Sequence, residues 1–412
     1  MTLISEAQVA LRLHCHPLPL ARTLLANALG RPLAEPILAP RDSPPFDKAL
    51  VDGYAVTAED LDAGRPLLAL DEIPAGMSPG RSLRPGQAAP IMTGAPMPEG
   101  AVAVVMVERS RREGDRVILE GPIREGQNYL PKGRELRTGE VILRPGPSTS
   151  RLNPRQIGLL ASLGCAEVAV HPAPRVAILP TGDELADPGI AARPGQIYNS
   201  NGPMLRALVE SMGLPIDTLP IAPDEAGPLG DLIRRGLQAD VLILSGGVSA
   251  GTRDLVPSAL IDAGVTEVFH KVRIKPGKPI WFGLGPARDG GRPGPLVFGL
   301  PGNPGGTLAG FRVFVRPALE VLGGHADGFE RSAATIAGRL DRPYAHRGDR
   351  PTYHPCACDF ATSDAVAPLP WAGSADLRAL AAADGFALFP AGDHDYQVGD
   401  PVEVLPMDGP SR

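Results

Sequence analysis

The sequence predicts a multidomain protein with a central, mostly parallel α/β domain and a β domain on either side of it. In 173–326, apolar strand-like runs alternate with amphipathic helical stretches, which is typical of a three-layer sheet with helices on both faces. In 45–132, and again in 327–412, short β-prone runs alternate with Gly/Pro turns, which favours small β domains. The 412 residues are enough for two to four domains.

The segments 1–44 and 133–172 are predicted to be helical and linking. A capping box at Ser5 to Gln8 opens the first helix, and residues 1–25 are expected to pack on the α/β domain. The stretch PLARTLLANALGRPLAEPI also has helical texture, broken by its internal prolines. In 133–172, the helix NPRQIGLLASLG ends at a glycine, as a C-cap would.

Within the α/β domain, three strands end in small-residue loops. The runs AILP, LILS and VFGL lead into TGDE, GGVSAGTRD and PGNPGG. Ligands of open α/β sheets bind at the carboxyl ends of the strands, and glycines let backbone N–H groups approach them. The three loops therefore predict a pocket for a phosphate or another oxyanion. Neither a Walker loop nor a GxGxxG follows a strand, which disfavours P-loop and nicotinamide enzymes.

Cations and carboxylates accompany these loops. In HKVRIK, period two predicts that Lys271, Arg273 and Lys275 share one face of a strand, and the KPGK turn brings Lys275 and Lys278 together. Two ammonium groups there could hold a tetrahedral oxyanion. The acidic residues Glu184, Asp224 and Asp254 suit Mg²⁺, although each could equally be a helix cap or a first-turn acid.

Composition and charge exclude several classes of protein. The net charge is −6 and aromatic residues make up 4%, so nucleic-acid and membrane partners are not expected. The four cysteines form no disulfide pattern, and no signal peptide is apparent, which predicts a cytoplasmic protein with reduced thiols. The clusters HCHP and HPCAC lack a second pair of ligands at zinc-finger spacing, so packing roles are favoured over metal binding.

Seven ordered motifs give the chain a family resemblance. These are DSPPFDKALVDGYAV, PIMTGAPMPEGAVAVVMVE, LPTGDEL, GQIYNSN, LSGGVSAGTRD, IKPGKPIWFG and GLPGNP. The chain resembles the molybdopterin molybdotransferases, the family that includes the E domain of gephyrin. The resemblance implies a transferase of molybdenum cofactor biosynthesis that takes molybdate and adenylylated molybdopterin as substrates and, with Mg²⁺, releases AMP. It also implies an elongated linking segment, a homodimer and possible contact with a molybdopterin adenylyltransferase.

The resemblance also implies site residues at the matching positions. Catalytic roles fall on Asp52, Thr93, Glu184, Asp224, Asp254, Lys275 and Lys278, of which Glu184, Asp224 and Asp254 would bind the metal. Binding of the pterin nucleotide and the oxyanion falls on Thr181, Gly182, Ser245, Gly246, Gly247, Ser249, Gly251, Pro301, Asn303, Arg350 and Ser374.

Two alternatives to molybdate insertion stay open at this point. One is adenylylation of molybdopterin, a reaction that relatives of the α/β domain alone carry out, so the two β domains argue against it. The other is a non-catalytic scaffold, which the retained acids and lysines disfavour. The segment Gly133-Arg134-Glu135 departs from the family pattern, and the sequence does not separate molybdate from tungstate as the substrate.

Overall fold

The computed structural model describes residues 1–62, 64–146, 151–248 and 255–407. The chain divides into two compact units. Arg22–Val170 form one, which we call the β unit; Met1–Ala21 and His171–Arg412 form the other, which we call the α/β unit. The first helix, Ile4–Arg12 (α1), belongs to the α/β unit. The finer boundaries predicted after residues 44, 132, 172 and 326 stay predictions.

The β unit is built on a mixed six-stranded sheet. Its strands are Ala21–Leu24 (β1), Ile37–Leu38 (β2), Lys48–Ala49 (β3), Gly53–Val56 (β4), Pro66–Ala69 (β5), Gln87–Ile91 (β6), Ala103–Met106 (β7), Ser110–Glu113 (β8), Arg116–Leu119 (β9), Tyr129–Leu130 (β10), Val141–Leu143 (β11) and Glu167–Val170 (β12), and its helix is Pro154–Ser162 (α2). The large sheet has the order β7-β4-β6-β5-β9-β8, while β1-β12, β2-β11 and β3-β10 form separate pairs.

Both faces of this large sheet are covered. Along β4, Tyr54 and Val56 face one apolar cluster, and Ala55 between them faces another. Alternation of side chains along a strand explains why all four residues of β4 are buried.

The α/β unit contains a six-stranded sheet with helices on both faces. The strands of this sheet are Val176–Pro180 (β13), Ile216–Thr218 (β16), Val241–Ser245 (β17), Thr266–His270 (β18), Trp281–Leu284 (β19) and Leu296–Leu300 (β20), while Leu185–Ala186 (β14) and Ile197–Tyr198 (β15) form a separate pair. The helices of the α/β unit after α1 are Asn201–Ser211 (α3), Ala226–Gly236 (α4), Val256–Asp262 (α5), Pro304–Gly310 (α6), Arg316–Leu322 (α7) and Gly328–Ala333 (α8). A π-helical stretch, Phe311–Val315, lies between α6 and α7.

The order of this sheet is β16-β13-β17-β20-β19-β18. The first four strands are parallel, and β19 and β18 run antiparallel at one edge. Ile178 and Ile243 face the core that α1, α3 and α7 cover, whereas Leu179 and Leu244 face the core under α4 and α5. Because successive side chains of a strand point to opposite faces, one run of apolar residues contributes to two apolar layers.

The C-terminal part of the α/β unit is a small closed barrel. Its elements are Ile336–Leu340 (β21), Tyr344–His346 (β22), Thr352–Cys358 (β23), Ala365–Pro368 (β24), Leu377–Ala381 (α9), Gly385–Phe389 (β25), His394–Tyr396 (β26) and Pro401–Pro406 (β27). The barrel has the order β21-β24-β23-β25-β27, and β22 pairs with β26. The predicted fold class, a mostly parallel α/β sheet with β domains, is confirmed.

Three local predictions are wrong. Helix α1 begins at Ile4 rather than after a Ser5 cap, and Leu3 N–H donates to Glu6 Oε2 over 2.8 Å. The stretch predicted as helical after His16 instead forms β1, a 3₁₀ turn and β2 in that order. Strand β1 pairs with β12. Strand β18 ends at His270, because Lys271 has a positive φ of 69° and Val272 pairs with Thr2. Lys271, Arg273 and Lys275 therefore share no strand face.

None of the helices within the described ranges combines the length and the apolar character that crossing a bilayer requires.

Candidate functional site

Three neighbouring parallel strands of the α/β unit end level with one another. Pro180 of β13 pairs with Ser245 of β17, and Ser245 pairs with Leu300 of β20. Beyond the strand ends, Thr181 N–H donates to the Ser245 carbonyl over 3.0 Å. The loops that follow therefore start side by side, as the sequence predicted for the edge of a parallel sheet.

A cleft of about 1140 Å³ opens over this edge. This volume lies just above the range of about 300–1,000 Å³ that is typical of small-molecule sites. The structure brings ten of the predicted site residues together in the lining, all within the α/β unit: Thr181, Glu184, Ser245, Gly246, Lys275, Lys278, Pro301, Asn303, Arg350 and Ser374.

The other predicted site residues that the structure describes do not line this cleft. Gly182, Gly247 and Asp224 are absent from the lining; Asp224 is exposed, and its backbone N–H donates to Asp183 Oδ1 over 3.1 Å. Ser249, Gly251 and Asp254 lie outside the described residues. Asp52 and Thr93 belong to the β unit.

The expectation that backbone amides of the three loops are free for an anion is wrong at three positions. Gly182 N–H donates to the Ala222 carbonyl (3.1 Å), Gly246 N–H to the Leu300 carbonyl (3.1 Å) and Gly305 N–H to the Ser374 carbonyl (2.8 Å). The backbone satisfies its own polar groups here, as buried backbone generally does. At these three positions the amide is therefore not available to an anion.

The charged side chains that line the cleft are mostly cationic. Among the described residues, Lys275, Lys278 and Arg350 line the cleft together with one carboxylate, that of Glu184. Both lysine side chains are exposed, and Arg350 is partly exposed. Three cations converging on one concave surface favour a ligand that carries at least two negative charges.

Two asparagines that the sequence analysis did not single out shape the floor of the cleft. Asn201, at the start of α3, donates from Nδ2 to Ser245 Oγ (2.8 Å) and to the Gly302 carbonyl (2.7 Å). Asn199 Oδ1 accepts from Gly202 N–H (2.9 Å) and so caps α3. Both asparagines belong to the motif GQIYNSN, which the sequence analysis used only for the family resemblance. Their side-chain roles depend on which strands lie beside the motif.

The C-terminal barrel contributes a wall of the cleft that the sequence did not predict. His354 Nε2 lies 2.9 Å from the Leu369 carbonyl, and Nδ1 lies 3.1 Å from the Tyr344 hydroxyl. Because a carbonyl only accepts, Nε2 carries the proton and Nδ1 accepts from Tyr344. Trp371 packs edge-on against this imidazole, with 5.3 Å between ring centroids. Burial lowers the pKa of His354, and the Lys275 ammonium lowers it further.

The four cysteines are free thiols, and the HPCAC cluster contributes packing and a cleft wall. Within the part of the chain that the structure describes, no three His, Cys, Asp or Glu side chains lie close enough together to hold a metal ion.

In the β unit, Asp52 and Thr93 form one hydrogen-bonded group. Asp52 Oδ1 accepts from both Thr93 N–H and Thr93 Oγ1, each over 2.7 Å. These two bonds hold the pKa of Asp52 below its usual range. Asp42 and Thr138 repeat the arrangement, with both distances 2.8 Å. Asp52 is thus ionised and fixed in direction, which suits either a turn or an electrostatic role.

The α/β sheet and its cation-lined cleft define the chain as an α/β protein with additional β domains. Models of three protein regions match it in order: the MoeA N-terminal region (domain I and II) at residues 3–164, a probable molybdopterin binding domain at 177–321, and the MoeA C-terminal region (domain IV) at 337–407. The chain belongs to the molybdopterin molybdenumtransferase (MoeA) family.

Relatives of known name agree with this assignment along nearly the whole chain. A molybdopterin molybdenumtransferase of Nostoc sp. is 36% identical over 390 residues, covering 92% of this chain and 87% of the relative. Molybdopterin molybdenumtransferase 2 of Mycobacterium tuberculosis is 35% identical over 402 residues, 95% of each. The solved structure of a MoeA protein from Pyrococcus horikoshii has a TM-score of 0.79 at 30% identity and covers 99% of both chains. The predicted resemblance is confirmed.

Proposed function

We propose that this protein is a molybdopterin molybdenumtransferase that inserts molybdate into adenylylated molybdopterin with Mg²⁺, releasing AMP and giving molybdenum cofactor. The observation that carries the proposal is the single cleft lined by Lys275, Lys278, Arg350 and Glu184 at the carboxyl ends of three parallel strands. The names of the relatives support the same reaction.

The cationic side chains would act on two anions. Molybdate is a tetrahedral dianion, and the two lysines can bind its oxygens as point charges while Arg350 offers a planar fork. The same cations would stabilise charge that develops on phosphate as the bond to the adenylyl group breaks. The roles of Thr181, Ser245, Asn303 and Ser374 would be to bind the pterin and nucleotide with neutral polar groups.

Mg²⁺ fits the cleft in a limited sense. Proteins usually hold it by one or two carboxylates together with phosphate oxygens of the substrate, and Glu184 is a cleft carboxylate free to do so. The ion would supply charge neutralisation to the leaving phosphate. Asp224 lies outside the cleft lining, so its place as a second ligand stays a prediction, as does that of Asp254.

The test measures AMP released from adenylylated molybdopterin with and without molybdate. We expect release to require molybdate and to fall at least about tenfold in Lys278→Gln and in Glu184→Gln, since removal of one group aimed at developing charge has effects of this size or larger. Lys271→Gln is the matched control, because it removes a cation of the same segment that does not line the cleft.

Two results would redirect the proposal. Pyrophosphate release from ATP and molybdopterin without molybdate would favour an adenylyltransferase. Full activity in both cleft variants would show that these two side chains do not carry the reaction, and absence of AMP release in the wild type would leave only a scaffold function. A homodimer, a cytoplasmic location and transfer of the pterin from an adenylyltransferase complete the proposal; light scattering should give twice the chain mass, and a monomer with full activity would contradict the dimer.

A further inference from the structure

The segment that carries the two cleft lysines is attached to the barrel by backbone pairing. Lys275 N–H donates to the Pro351 carbonyl (2.9 Å), and Tyr353 N–H donates to the Lys275 carbonyl (2.7 Å). This pairing is a one-residue parallel bridge between Lys275 and Thr352. The backbone at Lys275 therefore lies next to the start of β23, immediately after the loop that carries Arg350.

Two arginine side chains cross this junction in opposite directions. Arg273 Nη2 donates to the Asp349 carbonyl over 2.7 Å, and Arg350 Nη1 donates to the Ile274 carbonyl over 3.1 Å. Each guanidinium thus binds a carbonyl adjacent in sequence to the other arginine. Hydrogen bonds from a charged donor are stronger than neutral ones and fix direction as well as distance.

The two arginines differ in what else they can do. Arg350 lines the cleft, and its Nη2 has no hydrogen-bond partner among the described residues. Arg273 is absent from the lining of the cleft, and its guanidinium instead donates to the barrel loop. Arg273 as a whole is partly exposed.

We propose that Arg273 is a positioning residue, whose bond to Asp349 fixes the guanidinium of Arg350 relative to Lys275 for binding a tetrahedral oxyanion. Like charges repel, so Lys275, Lys278 and Arg350 would spread apart in an empty cleft if the loops were free to separate. The crossed arginines and the bridge at Thr352 oppose this separation before any ligand arrives. Preorganisation of this kind lowers the free-energy cost of binding. The inference rests on the proposed oxyanion-binding function of the cleft.

The experiment measures molybdate binding by calorimetry, without pterin, in the full chain. We expect Arg273→Gln to weaken molybdate affinity about tenfold, the size of effect typical of coupled neighbouring groups. Lys271→Gln, which removes an equal charge two residues away, should weaken it by no more than about twofold, as a solvent-screened charge would. Arg273→Lys, which keeps the charge and a donor, should restore part of the loss.

A double-mutant cycle separates positioning from general destabilisation. If Arg273 acts through Arg350, then Arg273→Gln should change molybdate affinity by no more than about twofold in an Arg350→Gln background. Equal losses in the two backgrounds, wild-type affinity of Arg273→Gln, or equal losses in Arg273→Gln and Lys271→Gln would each overturn the inference. Undiminished molybdate binding by Lys278→Gln would instead contradict the proposed function, so the two failures are distinguishable.

Discussion

Glu184 folds its carboxylate back against the Cα atom of Gly182. A Cβ atom at Gly182 would lie 2.4 Å from Glu184 Oε2 and 2.7 Å from Oε1. The backbone at Gly182 also has a φ of +137°, a value that residues other than glycine rarely adopt. Gly182 does not line the cleft, yet it leaves the space in which the cleft carboxylate lies.

Replacing Gly182 by alanine should therefore displace the Glu184 carboxylate. We expect Gly182→Ala to lower molybdate-dependent AMP release by about 10- to 100-fold, since a misplacement of about 1 Å can cost that much. Gly189→Ala is the matched control, because Gly189 has a φ of +94° and open space around its Cα. That variant should lose about 1–2 kcal/mol of folding free energy and keep its activity. Equal activity of the two variants would contradict this account.

Asn201 links three segments at the floor of the cleft through its amide group. Asn201→Asp would bring a carboxylate against the Gly302 carbonyl and replace that donated bond by repulsion, whereas the Ser245 hydroxyl can turn to donate to the carboxylate. We expect a loss of about 3 kcal/mol in the free energy of unfolding, typical of a buried polar group that loses its partner. In Asn199→Asp the carboxylate still accepts from Gly202 N–H, so the loss should stay within about 1 kcal/mol. Urea denaturation of both variants makes the comparison, and equal losses would show that the two bonds donated by Asn201 do not stabilise the fold.

The central part of the site was predictable from the sequence because its signals are local. The runs that became β13, β17 and β20 are apolar throughout, as strands buried on both faces must be, and each ends at small residues. Their carboxyl ends therefore had to meet at one edge of a parallel sheet. That geometry brings Thr181, Ser245 and Pro301 into one cleft.

The remainder of the site depends on contacts between distant segments. The alternation in HKVRIK is that of a strand, but Thr2 pairs with Val272 and the chain leaves the sheet at His270. Tyr344, His354 and Trp371 reach the cleft only because the C-terminal barrel closes beside it. Nothing in HPCAC itself indicates that its histidine lies between a tyrosine and a carbonyl oxygen.

The Asp52–Thr93 pair allows the charge of Asp52 to be removed without its hydrogen bonds. In Asp52→Asn, the amide Oδ1 can still accept from Thr93 N–H and Oγ1, so the thermal midpoint should change by no more than about 2 °C. If the charge serves catalysis, AMP release should fall at least about tenfold. Asp42→Asn, which preserves the equivalent bonds from Thr138, is the control and should keep full activity. Full activity of Asp52→Asn would assign Asp52 to the turn alone.

His354 should make the folded protein sensitive to mild acid. Burial, and then the Lys275 ammonium, hold the pKa of His354 below its ordinary value, and the pKa of His346 is lowered by the same two causes in the same order. The unfolded chain therefore takes up these protons first. Their contribution to stability is complete above about pH 6.5, the ordinary histidine pKa, and is lost as the pH falls from there towards the folded pKa values.

The expected result is a thermal midpoint that falls between about pH 7 and pH 5, and a smaller fall in His354→Gln. Lys275→Gln should raise the pKa of His354 in an NMR titration, because it removes the cation but leaves the burial unchanged. A His354 that titrates at or above the ordinary value in the wild type would show that Lys275 and burial do not act on it as described. Retention of the acid sensitivity in His354→Gln would assign it to His346 or to other groups.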